Sequence, residues 1–221
     1  MFAQVWNALP AFLREGLLLG SVGNNHLLRL ASAALEAVAT VPPDQGRALK
    51  RLGRELLLAA WEAEPLDGTL ANHLLALHAH DPHDPWLPDV PRHGLAALAS
   101  RWRKPEDLRY LEHAVARKEF AKARRFLEGQ ASKDPENPFW AHQLLNVSAL
   151  LGDLDGARRC LTPLATDQGL APVVAFAQAG LALAAKDATA AAETLERVGI
   201  AETWAGAREL LGRARYGQGA R

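Results

Sequence analysis

Cys160 is the only cysteine in the 221 residues, which excludes an internal disulfide and a thiolate zinc cluster and suits a reducing compartment. An excess of charge of either sign is also missing. The 25 Lys and Arg residues balance 25 Asp and Glu, so no overall field draws the chain to nucleic acid or anionic lipid. No apolar run approaches the roughly 20 residues that span a bilayer. The first twenty residues carry no Lys or Arg before Arg14 and are interrupted by Pro10, the reverse of the basic-then-apolar order of a secretory signal. The expectation is a cytoplasmic chain that does not insert into membranes. No Gly-rich phosphate loop occurs, and Gly16, Gly20 and Gly23 follow no strand. Ile200 is the only isoleucine and valines are few, so the residues that favour strands are scarce. Period-two alternation between turn signals is likewise absent. What remains is an all-α chain.

Leu, Ala, Arg and Glu, all strong helix formers, dominate what is present. Gly and Pro cut the apolar pattern into segments of one helix each. The expected helices are Phe2–Leu19, Asn25–Thr40, Asp44–Glu64, Thr69–His80, Pro91–Arg103, Glu106–Arg117 and Phe120–Ser132, then Pro138–Leu151, Leu154–Thr166, Ala171–Ala185, Thr189–Arg197 and Thr203–Tyr216. Between them Asp81–Val90 holds Pro82, Pro85 and Pro88, a rigid loop and the expected division between two halves.

Internal repetition is the strongest signal. Ala123, Ala157 and Ala191 are spaced by 34 residues, and Leu127, Leu161 and Leu195 follow each by four. Glu119, Asp153 and Asp187 keep the same spacing, as do Ala131 and Ala165, and Leu111 and Leu145. The physical reading is a helix hairpin used three times. Each alanine sits where two helices approach closely, and each leucine fills the gap one turn along the same face. Gly152 and Lys186-Asp187 fall in the tight turns. Asp134-Pro135-Glu136-Asn137-Pro138 ends one hairpin and opens the next, with Pro138 suited to a first helical turn.

On these residues the chain resembles the tetratricopeptide repeats. Phe120-Ala-Lys-Ala-Arg-Arg-Phe-Leu127 with Ala131-Ser-Lys-Asp-Pro135 is similar to a second repeat helix, and Leu150 to Cys160-Leu161 to the turn and second helix of the next copy. The match covers about residues 105–198. Gly53, Leu57, Ala60 and Pro65 give a fainter copy, and Ala71 to Leu75 mirrors Ala141 to Leu145. The resemblance implies an α-solenoid, a right-handed superhelix of antiparallel hairpins with eleven or twelve helices. Its expected parts are a degenerate repeat half over residues 1–80, a Pro-rich loop and connecting helix over 81–104, three repeats over 105–202, and a capping helix and tail over 203–221.

Several clusters invite chemistry. His78-Ala-His80-Asp81-Pro82-His83-Asp84 has the density of imidazoles and carboxylates that holds zinc or nickel, but it reads as a polar helix end running into a loop. Cys160 with His142 has the composition of a nucleophile pair, yet Cys160 falls on a helix face that packs. Glu106, Glu112 and Glu119 read as solvated carboxylates. Arg101-Trp102-Arg103-Lys104 and the run Lys118, Lys122, Arg124, Arg125 are interleaved with acids, so nucleic acid is not the expected ligand. No catalytic residue, metal or cofactor is expected.

The resemblance implies that the first helix of each hairpin lines a concave groove. Its expected residues are Leu108, Arg109 and Glu112, then Phe139, His142, Gln143 and Asn146, then Val173 and Phe176. They combine apolar anchors, amides suited to a peptide backbone and one Arg–Glu pair, without the Lys and Arg set that clamps a terminal carboxylate. Trp86 and Trp102 are further candidates for anchoring a partner. The expected function is a protein-interaction adaptor or scaffold that binds a peptide or protein surface. The alternatives are a helical-repeat region serving a larger bacterial enzyme such as a protein glycosyltransferase or methyltransferase, and a self-assembling scaffold (a homo-oligomer). The ending Arg213 to Arg221 does not read as a linker, and the Ala, Leu and Arg content points to a GC-rich bacterial genome.

Overall fold

The structure, a computed structural model, describes residues 24–80, 86, 87 and 89–219. All regular structure among the described residues is helical. None of these helices is long and apolar enough to cross a membrane. The expected helix Phe2–Leu19 lies outside the described residues, as do residues 81–85 of the His-rich loop.

The chain divides into two compact units between Glu64 and Pro65. In the first, α1 (Asn24–Ala37) leads through a 3-10 turn (Val38–Thr40) into α2 (Pro43–Ala63), with Pro43 in the first helical turn. The two helices pack on each other, and Leu30, Ala31 and Ala34 of α1 and Leu49, Leu57, Ala60 and Trp61 of α2 are buried. Gly53 is required there: a Cβ would come within 2.7 Å of Leu35 Cγ, so only a glycine lets α1 and α2 approach this closely.

The second unit begins with α3 (Gly68–Ala79) and α4 (Asp89–Arg101), which pack on each other. The Pro-rich loop therefore lies inside this unit. Seven helices follow: α5 (Arg109–Ala116), α6 (Phe120–Ala131), α7 (Pro138–Leu150), α8 (Leu154–Ala165), α9 (Ala171–Ala184), α10 (Ala188–Val198) and α11 (Ala205–Gly219). Each of these packs on the next in the chain. Helix α5 starts three residues later than expected, after Pro105, because the Asp107 carboxylate accepts the Arg109 N–H and turns the chain first. Helix α8 runs through Pro163, which stands near its end, where few carbonyls lose a partner.

The 34-residue spacing is visible as geometry. Ala123, Ala157, Ala191, Leu127, Leu161 and Leu195 are fully buried. The turns α5–α6, α7–α8 and α9–α10 are identical in form. Lys118, Gly152 and Lys186 adopt positive φ of 59°, 69° and 61°. The next amide, of Glu119, Asp153 or Asp187, donates to the carbonyl five residues back, on Ala114, Ser148 or Ala182. This is the Schellman termination, with the left-handed residue at the same place each time. Asp153 and Asp187 then cap the following helix by accepting from Gly156 and Ala190 N–H.

The second unit also folds back on itself. Helix α4 lies against α9, where Gly94 faces Val173 so closely that a Cβ would meet its Cγ2 at 2.9 Å. Gly169 faces Ala97 in the same way, with a Cβ separation of 3.0 Å, and the Arg101 guanidinium pairs with Asp167.

Candidate functional site

Beyond α4 the chain runs without regular structure through Trp102 and Lys104 and crosses the start of α7. Asn137, the N-cap of α7, is buried and uses its whole side-chain amide there. Its Oδ1 accepts from Phe139 N–H at 3.1 Å and from Arg103 N–H at 3.2 Å. Its Nδ2 donates to the Arg103 carbonyl at 2.9 Å and to Asp134 at 3.1 Å. Asp134 also receives the Arg103 guanidinium at 3.0 Å. One helix cap thus holds both backbone groups of Arg103.

This fixes Trp102. Its ring lies 5.2 Å from that of Phe139 and 5.5 Å from that of His142, and covers Gly68 so closely that a Cβ would fall 2.3 Å from Trp102 Cγ. Trp102, Phe139 and Leu111 help line a cleft of about 320 Å³ between α5, α7 and the start of α3. Five of the nine residues expected to line a groove meet at it: Leu108, Glu112, Phe139, His142 and Gln143. Asp67, Thr69, Lys104 and Val115 complete it. Residues 139, 142 and 143 share a face because they are three and four apart on a helix.

The polar part of the cleft is organised around His142, which is buried. Its Nδ1 lies 3.2 Å from the Gln143 amide nitrogen and its Nε2 3.3 Å from that of Asn146. A neutral imidazole has one donor and one acceptor nitrogen, so one of the two amides must turn its oxygen to the ring. The Asp67 carboxylate and the His142 ring also come within 4.8 Å of one another. Asp67 caps α3, accepting from Thr69 N–H at 2.7 Å.

The other expected groove residues are placed differently. Val173 is covered by the chain's own α4 through the Gly94 contact. Phe176 is buried against Trp204, the rings stacked 4.1 Å apart, because the segment entering α11 turns its tryptophan inward. The expected Arg–Glu pair does not form. Arg109 grips Asp107 through both carboxylate oxygens, at 3.0 and 2.7 Å, holding that carboxyl below its usual range, while Glu112 has no ion pair among the described residues. Trp86 is half-buried and meets His78 edge-on at 5.9 Å.

Cys160 and His142 line different clefts. Cys160 sits on α8, its thiol donating to the Gly156 carbonyl at 3.1 Å. Burial pushes that thiol up, the opposite of what a nucleophile needs.

Sequence reasoning missed Asp67 and Lys104. The Asp67-Gly68-Thr69 pattern marks a helix start, but no local signal says that this start faces α7. Comparison of the chain with protein-family models, with curated proteins and with solved structures yields no match.

Proposed function

We propose that the chain is a tetratricopeptide-like interaction module that holds an extended segment of a partner protein in the cleft between α5 and α7. The observation that carries this reading is the treatment of Arg103. The amide that caps α7 pairs with both the N–H and the carbonyl of a residue outside any helix, the way a peptide ligand is held by its backbone. Directly beside it lies an open cleft lined by aromatic and polar side chains, Glu112 and Gln143 among them. A preformed surface of this kind loses little entropy on association.

The catalytic constellations weighed in the sequence supply no competing support. Among the described residues burial pushes the thiol's pKa up, and its expected base lines another cleft.

The test compares capture from a lysate of the source cell by the wild-type chain and by Glu112→Lys/Gln143→Ala. Both positions reach solvent, and circular dichroism checks that the variant is folded. A protein held by the wild type and lost by the variant supports the cleft, whereas equal capture rejects it.

A second reading has one observation behind it. Leu150 and Leu151, at the α7–α8 turn, are 60% and 41% exposed, an apolar edge suited to association between copies. Mass rising with concentration, and reversed by Leu150→Glu, would favour it.

A further inference from the structure

The segment Arg101–Lys104 shows what chemistry this face of the second unit accepts. The Arg101 guanidinium is met by Asp167, in the loop before α9, and that of Arg103 by Asp134, in the loop before α7. The backbone between these side chains leaves the end of α4, and Asn137 clasps it at Arg103. A basic, non-helical stretch is thus the kind of chain the loops before α7 and α9 already hold.

The adjoining cleft continues this pattern with carboxylates that no guanidinium or ammonium meets among the described residues. Asp67 stands at the head of α3 and Glu112 on α5, and neither carboxylate makes an ion pair among the described residues. Lys104 is the lone Lys or Arg among the lining residues, so two carboxylates face one ammonium and the cleft is net negative. Trp102 lines the same space, and an indole face attracts a cation, a guanidinium above all. Arginine suits these walls better than lysine, because its planar, weakly hydrated head stacks on an aromatic ring while its donors reach carboxylates.

We propose that the cleft receives an arginine side chain from an extended segment of a partner protein, with Asp67 and Glu112 as its counter-charges and Trp102 as the wall on which it stacks. The assignment rests on the peptide-groove reading above and adds to it the chemistry of the ligand.

The experiment uses the full chain, labelled with nitrogen-15, and three probes: acetyl-Gly-Arg-Gly-amide and the same peptide with citrulline or glutamate in place of arginine. The arginine peptide is expected to shift the amides of Thr69, Glu112 and Gln143 and the indole N–H of Trp102. Citrulline, which keeps the shape and loses the charge, should bind about tenfold more weakly. Added salt should weaken the arginine response. Glu112→Gln and Asp67→Asn should each reduce it. Asparagine still caps α3, and circular dichroism checks that both variants are folded. Equal binding of citrulline, preference for glutamate, or full response in both variants would overturn the arginine assignment while leaving a peptide-binding cleft. A cleft silent to all three probes overturns it as well, and the capture comparison then decides separately whether the groove reading stands.

Discussion

Asn137 holds Arg103 by both of its backbone groups across 34 residues of sequence, while its oxygen also caps α7. Cap and clasp separate by mutation. Asn137→Ala removes both and leaves buried groups without partners, a loss of about 2–4 kcal/mol in urea unfolding. Asn137→Asp keeps a good cap but cannot donate to the Arg103 carbonyl, and it sets a carboxylate beside Asp134. It is expected to destabilise nearly as much as alanine. A wild-type midpoint for Asn137→Asp would mean that the clasp contributes nothing.

The left-handed column at 118, 152 and 186 predicts substitutions of opposite sign at equivalent positions. Gly152→Ala introduces a Cβ that meets no neighbour within 4 Å, so its cost is conformational alone, about 1 kcal/mol. Lys118→Gly and Lys186→Gly relieve that same strain and should stabilise by up to about 1 kcal/mol each. Thermal melting of the three variants checks the signs.

Gly68 and Trp102 form a testable pair. Gly68→Ala places a methyl group inside the indole and is expected to cost about 1–3 kcal/mol. In a Trp102→Ala background the same change should cost nearly nothing, so the double-mutant cycle gives a large coupling. Additive effects would show that the ring does not rest on Gly68.

Asp153 carries an acid dependence. The Gly156 N–H, and then Arg124, hold its carboxyl below the ordinary value of 3.8. A depressed folded pKa stabilises the fold above the unfolded value, and that stabilisation disappears as pH falls through the folded one. Stability measured between pH 5 and 2 should therefore decline less steeply in Asp153→Asn, which keeps a capping oxygen but does not titrate. Parallel curves for the two proteins would show that Asp153 is not part of the acid transition.

Much of the second unit was legible because its contacts are local and periodic. The 34-residue columns fix which face of α6, α8 and α10 is buried, and the spacing of Phe139, His142 and Gln143 puts them on one face of α7. The fold-back of α4 was not legible. It depends on Gly94 over Val173 and Gly169 over Ala97, glycines that read in sequence as ordinary breakers, and on Trp102 over Gly68, 34 residues away. Contacts this far apart leave no period. They alter the candidate site twice, by covering Val173 and by supplying the wall of the cleft. For the same reason Phe139 and Phe176 are poor reporters of binding: both are buried, and alanine there costs about 3–5 kcal/mol of fold before any partner is lost.

Photo-cross-linking from a single position tests the central claim most directly. A benzophenone side chain placed at Gln143, in the cleft, is compared with one at Leu150, on the exposed edge of the α7–α8 turn. In source-cell lysate the account predicts a discrete adduct from position 143 whose cross-linked peptide comes from another protein, and none of that species from position 150. Adducts from position 150 alone, or a position-143 probe that reacts only with its own chain, would contradict the account.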